Sequence, residues 1–134
     1  FVPSQPKEVI DQYWSICDLA LVHLKDTPVF GTVIPSKIFE AMAMGVPILL
    51  AAPRGEASEI IEREQAGMVV EPEHPTRLAE AVRALVSDRA RLAALADRSL
   101  RAAPTYTRER QARLVLEVLE KTVKASATSR ASTA

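Results

Sequence analysis

The sequence has a single cysteine, few aromatic residues and no excess of either charge among its 134 residues. Cys17 cannot form an internal disulfide, and with only His23 and His74 beside it there is no ligand set at the spacing of a structural zinc site. Basic and acidic residues number 17 each, so no net positive field attracts nucleic acid or an anionic membrane. We therefore expect a reducing compartment, no bound metal and no nucleic-acid partner.

Long apolar runs are also missing. The run at 47–52 is far shorter than the roughly 20 residues that span a bilayer, and no basic-then-apolar leader opens the chain. We expect a cytoplasmic protein with no transmembrane segment. The first residues, Phe1-Val2-Pro3, resemble the end of a strand and lack an initiator methionine, which predicts a fragment of a longer protein.

Short β-type runs alternate with helical patterns along the chain. This alternation predicts an α/β fold, a Rossmann-like parallel sheet with flanking helices. A small, polar stretch at 125–134 is expected to be a disordered tail after a domain at 1–124. The predicted strands are 19–24, 48–51 and 68–70. Three helices are predicted from Pro6 to near Ser15, from Pro35 to Gly45, and over 57–65, the last of them stopped by Gly67. Three more helices are predicted to begin at Pro75, at Asp88 and at about Thr107.

Several reactive or aromatic side chains are better explained as core residues than as ligand-binding or catalytic ones. The run at 19–24 is continuously apolar, which predicts a strand buried on both faces and His23 packed in the core. Cys17 is expected to be a small buried hydrophobe, and Tyr13 and Trp14 to lie on the inward face of the first helix.

Two loops follow predicted strands and lead into helices, the position at which parallel sheets bind ligands. The first, residues 25–34, reaches the helix that begins Pro35-Ser36-Lys37. Free N–H groups at that amino end favour a phosphate, and Gly31 would let a ligand approach the backbone closely. Lys37 could contact a diphosphate or could be an ordinary surface lysine.

Glu40 lies one helical turn after Ser36 and is flanked by apolar residues. A carboxylate at that position can accept two hydrogen bonds from the vicinal diol of a ribose. The alternative is a solvated carboxylate paired with Lys37, three residues earlier.

The second loop, residues 52–56, offers weaker candidates. Gly55 permits an unusual backbone angle, and Glu56 is expected to cap the first turn of the following helix and not to contact substrate. Arg54 is better explained as a surface arginine than as an anion ligand. His74, directly before Pro75, is interpreted as a helix-start residue.

The stretch Phe30-Gly31-Thr32-Val33-Ile34-Pro35-Ser36-Lys37-Ile38-Phe39-Glu40-Ala41-Met42-Ala43-Met44-Gly45-Val46-Pro47-Ile48 resembles the nucleotide-sugar signature of the C-terminal lobe of GT-B glycosyltransferases of family 4, also called glycosyl transferases group 1. The Pro-Ser-Lys-x-Phe-Glu run is closest to bacterial enzymes of colanic-acid, O-antigen and N-acetylfucosamine transfer. Later segments, at 55–61, 66–72 and 78–82, are similar to successive family elements, so the resemblance covers about residues 1 to 120.

This resemblance implies roles for particular residues. Family members place two glutamates, with seven residues between them, against the donor, and the second, which holds the ribose, maps to Glu40. The first maps to Thr32, so no carboxylate contact carries over to that position. The backbone of Gly31, Thr32 and Val33 remains available to sugar and diphosphate, with Ser36 and Lys37 beside the phosphates.

The resemblance also implies an activity and partners: retaining transfer of a sugar from a UDP- or GDP-type donor to a glycan or lipid-linked acceptor in surface polysaccharide synthesis, without a cofactor or metal. The acceptor lobe, N-terminal in the family, would be a missing partner, and any contact with the inner face of the membrane would go through it. This chain alone is then expected to be inactive. The alternatives are a non-enzymatic nucleotide-binding or partner subunit of a split glycosyltransferase, and a GT-B sugar-nucleotide epimerase.

Overall fold

The computed structural model describes residues 2–131, and the side chains of residues 2–124. The chain forms two compact units, Phe1–Ala103 and Pro104–Ala134. The strands are β1 (Ala20–His23), β2 (Ile48–Ala51) and β3 (Gly67–Val70). The α-helices are α1 (Ile10–Trp14), α2 (Ser36–Ala43), α3 (Glu56–Glu64), α4 (Pro75–Ser87), α5 (Arg89–Ala102) and α6 (Arg108–Ala131), and short 3-10 helices cover Lys7–Val9, Pro28–Thr32 and Ala103–Tyr106.

The three strands form one parallel sheet in the order β1-β2-β3. Ala20 lies opposite Ile48, which lies opposite Gly67, so the strands start at one edge and end at the other. Helices separate the strands along the chain, as parallel connections require. The predicted α/β fold, a parallel sheet with flanking helices, is confirmed.

The core lies around β2, whose four residues are all buried. Helix α2 contributes Ile38 and Met42, helix α3 contributes Ile61, and helix α4 contributes Leu85, each fully buried. Burial on both faces explains why β2 is a continuous apolar run, and its predicted bounds are those observed. The buried apolar residues of the described chain all lie between Ala20 and Ala102.

Strand β1 differs from the prediction. Ala20 and Val22 are buried, whereas Leu21 is 49% exposed and His23 is exposed. The sheet of the described residues pairs β1 only with β2, so β1 is an edge strand, and its alternating burial shows that the face carrying Leu21 and His23 is uncovered. The predictions that β1 is buried on both faces and that His23 is a core residue are therefore wrong.

Helix α1 is a second difference, because it buries none of its residues. Tyr13 is exposed and Trp14 is half-buried. Cys17 is exposed, with its Sγ donating a hydrogen bond to the Tyr13 carbonyl at 3.1 Å. This short helix packs mainly against the 3-10 turn before it, so the predictions of a buried Cys17 and an inward Tyr13 are wrong.

Helix ends follow local signals in most cases. Gly45 has φ +64° after α2, as expected of a C-terminal glycine, and Asp88 caps α5. Helix α3 ends differently from the prediction, because Gln65 adopts the left-handed conformation with φ 51°, two residues before Gly67. Helix α6 continues into the segment predicted to be a disordered tail, since each added residue gains one backbone hydrogen bond once a helix exists. Residues 132–134 lie outside the described residues.

Candidate functional site

Three loops meet at the carboxyl edge of the sheet, because parallel strands all end there. Loop 1, residues 24–35, follows β1 and contains the 3-10 helix Pro28–Thr32, here called the 3-10 segment. Loop 2, residues 52–55, joins β2 to α3, and loop 3, residues 71–74, joins β3 to α4. Both loops singled out from the sequence lie at this edge.

Loops 1 and 2 touch through two glycines. A Cβ atom built on Gly55 would lie 1.8 Å from the carbonyl oxygen of Gly31, and one built on Gly31 would lie 3.1 Å from the carbonyl oxygen of Arg54. Gly55 has φ 167°, which is extended backbone open to any residue. Gly55 is therefore required for space, and the prediction of an unusual backbone angle there is wrong. Gly31 does permit a close approach, but the approaching group is the backbone of loop 2.

At the amino end of α3, the side chain of Ser58 bonds back to Gly55, the residue before the helix. The Ser58 hydroxyl, which is buried, accepts a hydrogen bond from the Gly55 N–H at 3.0 Å and donates to the Gly55 carbonyl at 2.7 Å. The side-chain hydrogen bonds at the start of α3 are therefore made by Ser58 and not by Glu56, which was predicted to cap this helix and is exposed. Arg54 is 75% exposed in its side chain and pairs with Glu62, in agreement with its interpretation as a surface arginine.

The amino end of α2 is open, since Ser36 and Lys37 are exposed and no side chain caps the helix. Pro35 precedes the helix and provides neither an N–H donor nor a side-chain cap. The Ile38 N–H bonds to the Pro35 carbonyl at 3.1 Å, whereas the N–H groups of Ser36 and Lys37 make no hydrogen bond within the described chain. Both side chains are exposed. Unpaired N–H groups at the positive end of a helix dipole are suited to an anion such as phosphate.

Glu40 is exposed on the first turns of α2, and it is joined to Ser36. The Ser36 hydroxyl donates a hydrogen bond to Glu40 Oε1 at 3.2 Å. Within residues 2–124 no ion pair links Glu40 to Lys37, the alternative partner considered from the sequence. The helix thus places a carboxylate, a hydroxyl and two unpaired N–H groups within one turn, and the ribose-binding role of Glu40 stays a prediction.

Of the remaining predicted site residues, Thr32 is the last residue of the 3-10 segment and Val33 follows it. The Thr32 hydroxyl donates to the Val29 carbonyl at 2.8 Å, a contact within the 3-10 segment. Val33 has extended backbone with φ −102° and is 37% exposed. Ile34 and Pro35 connect the backbone of 31–33 to the amino end of α2.

Loop 3 contributes Glu73, a residue that no pattern in the sequence points to. Glu73 has φ 55°, and its Oε2 accepts a hydrogen bond from the Asp26 N–H of loop 1 at 3.3 Å. Neither a glycine nor an asparagine marks position 73 as left-handed, and the partner lies 47 residues away. His74 directly precedes α4, the position that its interpretation as a helix-start residue predicts, and its side chain makes no capping bond.

Two surface depressions lie elsewhere on the molecule. One, of about 410 Å³, lies between β3 and α4 beside Arg77 and Glu80. The other, of about 320 Å³, lies near the amino edge of the sheet beside Asp18 and Arg89, which form an ion pair at 3.1 Å. Neither is lined by Glu40.

Metal-binding clusters and membrane-spanning helices are both absent from the described residues. No group of three or more histidine, cysteine, aspartate or glutamate side chains there could hold a metal ion. No helix over residues 2–131 is long and apolar enough to cross a membrane.

Comparison with known proteins gives this edge of the sheet a context. Sucrose-phosphate synthase from Thermosynechococcus elongatus has a similar solved structure, with a TM-score of 0.69 and 21% identity over 94% of this chain. The match covers 30% of that structure and shows the fold, a fragment of a GT-B glycosyltransferase fold. Among curated proteins, none matches this chain. The sequence profile described as "Glycosyl transferases group 1" matches residues 1–102, which include all three loops, and the chain therefore belongs to the glycosyl transferases group 1 family.

Proposed function

We propose that this chain binds the nucleoside-diphosphate-sugar donor of a glycosyltransferase. The observation that carries the proposal is the amino end of α2, where two unpaired N–H groups lie within a turn of an exposed glutamate. This pairing suits one nucleotide, with phosphates over the helix end and ribose beside Glu40. Membership of the glycosyl transferases group 1 family supports the reaction class.

The diphosphate is the leaving group of sugar transfer, so its growing negative charge must be stabilised. The N–H groups of Ser36 and Lys37, with the helix dipole behind them, provide fixed donors at that point. The Lys37 ammonium adds a mobile positive charge, and its side chain is exposed and able to reach a ligand. The chain's contribution to catalysis is therefore electrostatic and positional.

The Glu40 carboxylate orients the donor by accepting hydrogen bonds from two ribose hydroxyls. Its hydrogen bond from Ser36 holds Oε1 on the side of the helix end, before any ligand is present. Such preorganisation lowers the entropy that must be lost on binding. Thr32 offers no carboxylate, so any contact from positions 31–33 is made by backbone.

The resemblance of the Pro35–Glu40 run to family 4 glycosyltransferases supports a more specific proposal for the donor, the stereochemistry and the acceptor. We propose a UDP or GDP donor, retaining transfer of the family 4 type, and a glycan or lipid-linked acceptor in surface polysaccharide synthesis. The chain spans 30% of the solved structure it matches, and we propose that an acceptor-binding lobe completes the cleft. Without that lobe, nucleotide binding is weak and transfer activity is absent.

The proposal is tested by ligand-observed NMR with UDP, GDP and ADP, using the wild-type chain, Glu40→Ala and Glu80→Ala. Glu80 is an exposed helical glutamate beside Arg77 on α4, which makes it a matched control. We expect at least one nucleotide to bind wild type and Glu80→Ala alike, and Glu40→Ala to lose about tenfold or more in affinity, since hydrogen bonds to a charged group contribute about 1.5–3 kcal/mol.

Equal affinity of Glu40→Ala and wild type would refute the ribose contact. Failure of every nucleotide to bind wild type at millimolar concentration would remove the proposed function of this chain on its own. A nanomolar dissociation constant would contradict the idea that a second lobe completes the cleft. Because Glu40 is exposed, its substitution should leave thermal unfolding unchanged, which separates lost binding from lost fold.

A further inference from the structure

Glu73 lies outside α2 and outside loop 1, yet it contacts loop 1. Its Oε2 accepts the hydrogen bond of the Asp26 N–H at 3.3 Å. Asp26 precedes the 3-10 segment by two residues. The contact therefore joins the loop after β3 to the loop after β1, across the end of β2, which lies between them in the sheet.

The backbone of Glu73 is unusual for its residue type. Its φ of 55° lies in the left-handed region, where the Cβ atom crowds the following carbonyl and where glycine and asparagine are favoured. The conformation turns the chain sharply between β3 and α4. An outlier of this kind, coupled to a contact 47 residues away, points to a role for the side chain beyond the turn itself.

The far end of the 3-10 segment is already held. Gly31 packs against the backbone of loop 2 at Gly55 and Arg54. Inside the segment the hydrogen bonds are local, from the Phe30 N–H to the Thr27 carbonyl and from the Thr32 hydroxyl to the Val29 carbonyl. Glu73 supplies the long-range hydrogen bond at the near end.

We propose that Glu73 is a positioning residue for nucleotide binding. It holds the start of the 3-10 segment, so that the backbone of residues 31–33 stays beside the open amino end of α2. The ligand in this inference rests on the proposed function, whereas the tether between loops 1 and 3 does not. Glu73 itself touches no substrate.

Two substitutions separate the tether from the turn. Glu73→Gly removes the carboxylate but fits φ 55° better than glutamate does, so the turn itself should not be weakened. Glu73→Gln keeps a side-chain oxygen acceptor of the same length and should restore the tether. Water-exchange NMR on the 134-residue chain reports the Asp26 and Phe30 amides, and titrations with UDP and GDP report affinity.

We expect the Asp26 amide of Glu73→Gly to exchange about fivefold or more faster than in wild type, with affinity for the bound nucleotide lowered about threefold or more and the midpoint of thermal unfolding not lowered. Glu73→Gln should behave like wild type in all three measurements. A merely structural role would lower the unfolding midpoint without this rescue pattern.

Unchanged exchange at Asp26 in Glu73→Gly would overturn the tether, and faster exchange with unchanged affinity would overturn its role in binding. Glu73→Gln behaving like Glu73→Gly would overturn the part played by the acceptor oxygen. If wild type binds neither nucleotide, the proposed function fails while the exchange rates still decide whether Glu73 holds loop 1.

Discussion

Gly55 shows how one residue without a side chain fixes the relation of two loops. Its Cα faces the Gly31 carbonyl so closely that even a methyl group would overlap it. Loops 1 and 2 therefore come together only if position 55 is glycine. The contact is between backbones, so no rotation of a side chain can relieve an added atom.

We predict that Gly55→Ala lowers the free energy of unfolding by about 1–3 kcal/mol, the usual cost of overpacking. Gly31→Ala is the matched control, because its Cβ would lie 3.1 Å from the nearest backbone oxygen and needs only a small shift. Urea denaturation followed by circular dichroism measures both. If Gly55→Ala has the same free energy of unfolding as Gly31→Ala and the wild-type chain, loop 2 moves without cost and the prediction is wrong.

The positions of some side chains could be predicted from the sequence, and those of others could not. Glu40 and Ser36 could be placed together because helical spacing brings residues four apart onto one face. His23 could not be placed, since its exposure depends on whether another element covers that face of β1. Whether Ser58 or Glu56 bonds back to Gly55 could not be predicted either, because it depends on which side of α3 is buried. Ser58 lies on the buried side and makes the bond.

At the scale of elements, Asp88 defines the junction between two helices. Helix α4 ends at Ser87 and α5 begins at Arg89, so Asp88 terminates one helix and caps the next. Its Oδ1 accepts the Arg91 N–H at 2.9 Å. The bond satisfies one of the free donors of α5, whose Leu92 and Leu95 then enter the core beside Leu85.

We predict that Asp88→Ala destabilises the chain by about 1 kcal/mol, with Asp88→Asn close to wild type, because asparagine caps helices as well as aspartate does. Thermal unfolding monitored by circular dichroism compares the three proteins. A loss in Asp88→Asn equal to that in Asp88→Ala would mean that charge matters at this junction and the cap does not.

Helix ends could be predicted where a proline, a glycine or a capping aspartate marks them in the sequence, and could not be predicted elsewhere. Proline before α2 and at the start of α4, glycine after α2 and aspartate before α5 all act locally. The end of α3 has no such signal, because Gln65 takes a conformation that glutamine rarely adopts. The 3-10 segment was also missed, since its short turn carries no apolar periodicity.

At the scale of the whole molecule, the buried apolar residues among those with described side chains all lie in the first unit. Its buried apolar residues lie between Ala20 and Ala102, whereas α6 presents exposed aliphatic side chains, including Val115, Leu119 and Val123. The division predicts that the first unit does not need α6 in order to fold.

A chain truncated after Ala103 should therefore keep a cooperative unfolding transition, with a urea midpoint within about 0.5 M of the full chain, on the scale set by m-values of about 1–3 kcal/mol per M. Circular dichroism and urea titration of the two chains test this. Loss of the transition in the truncated chain would show that residues 104–134 contribute to the core after all.

The chain of contacts from Glu73 through loop 1 to Gly55 affects how any titration of this protein is interpreted. A nucleotide at the amino end of α2 would perturb amide resonances in all three loops, because each loop is mechanically joined to the next. The footprint of chemical-shift changes would then be wider than the surface the ligand covers. Nuclear Overhauser effects from ribose protons, and not shift maps, identify the residues in direct contact.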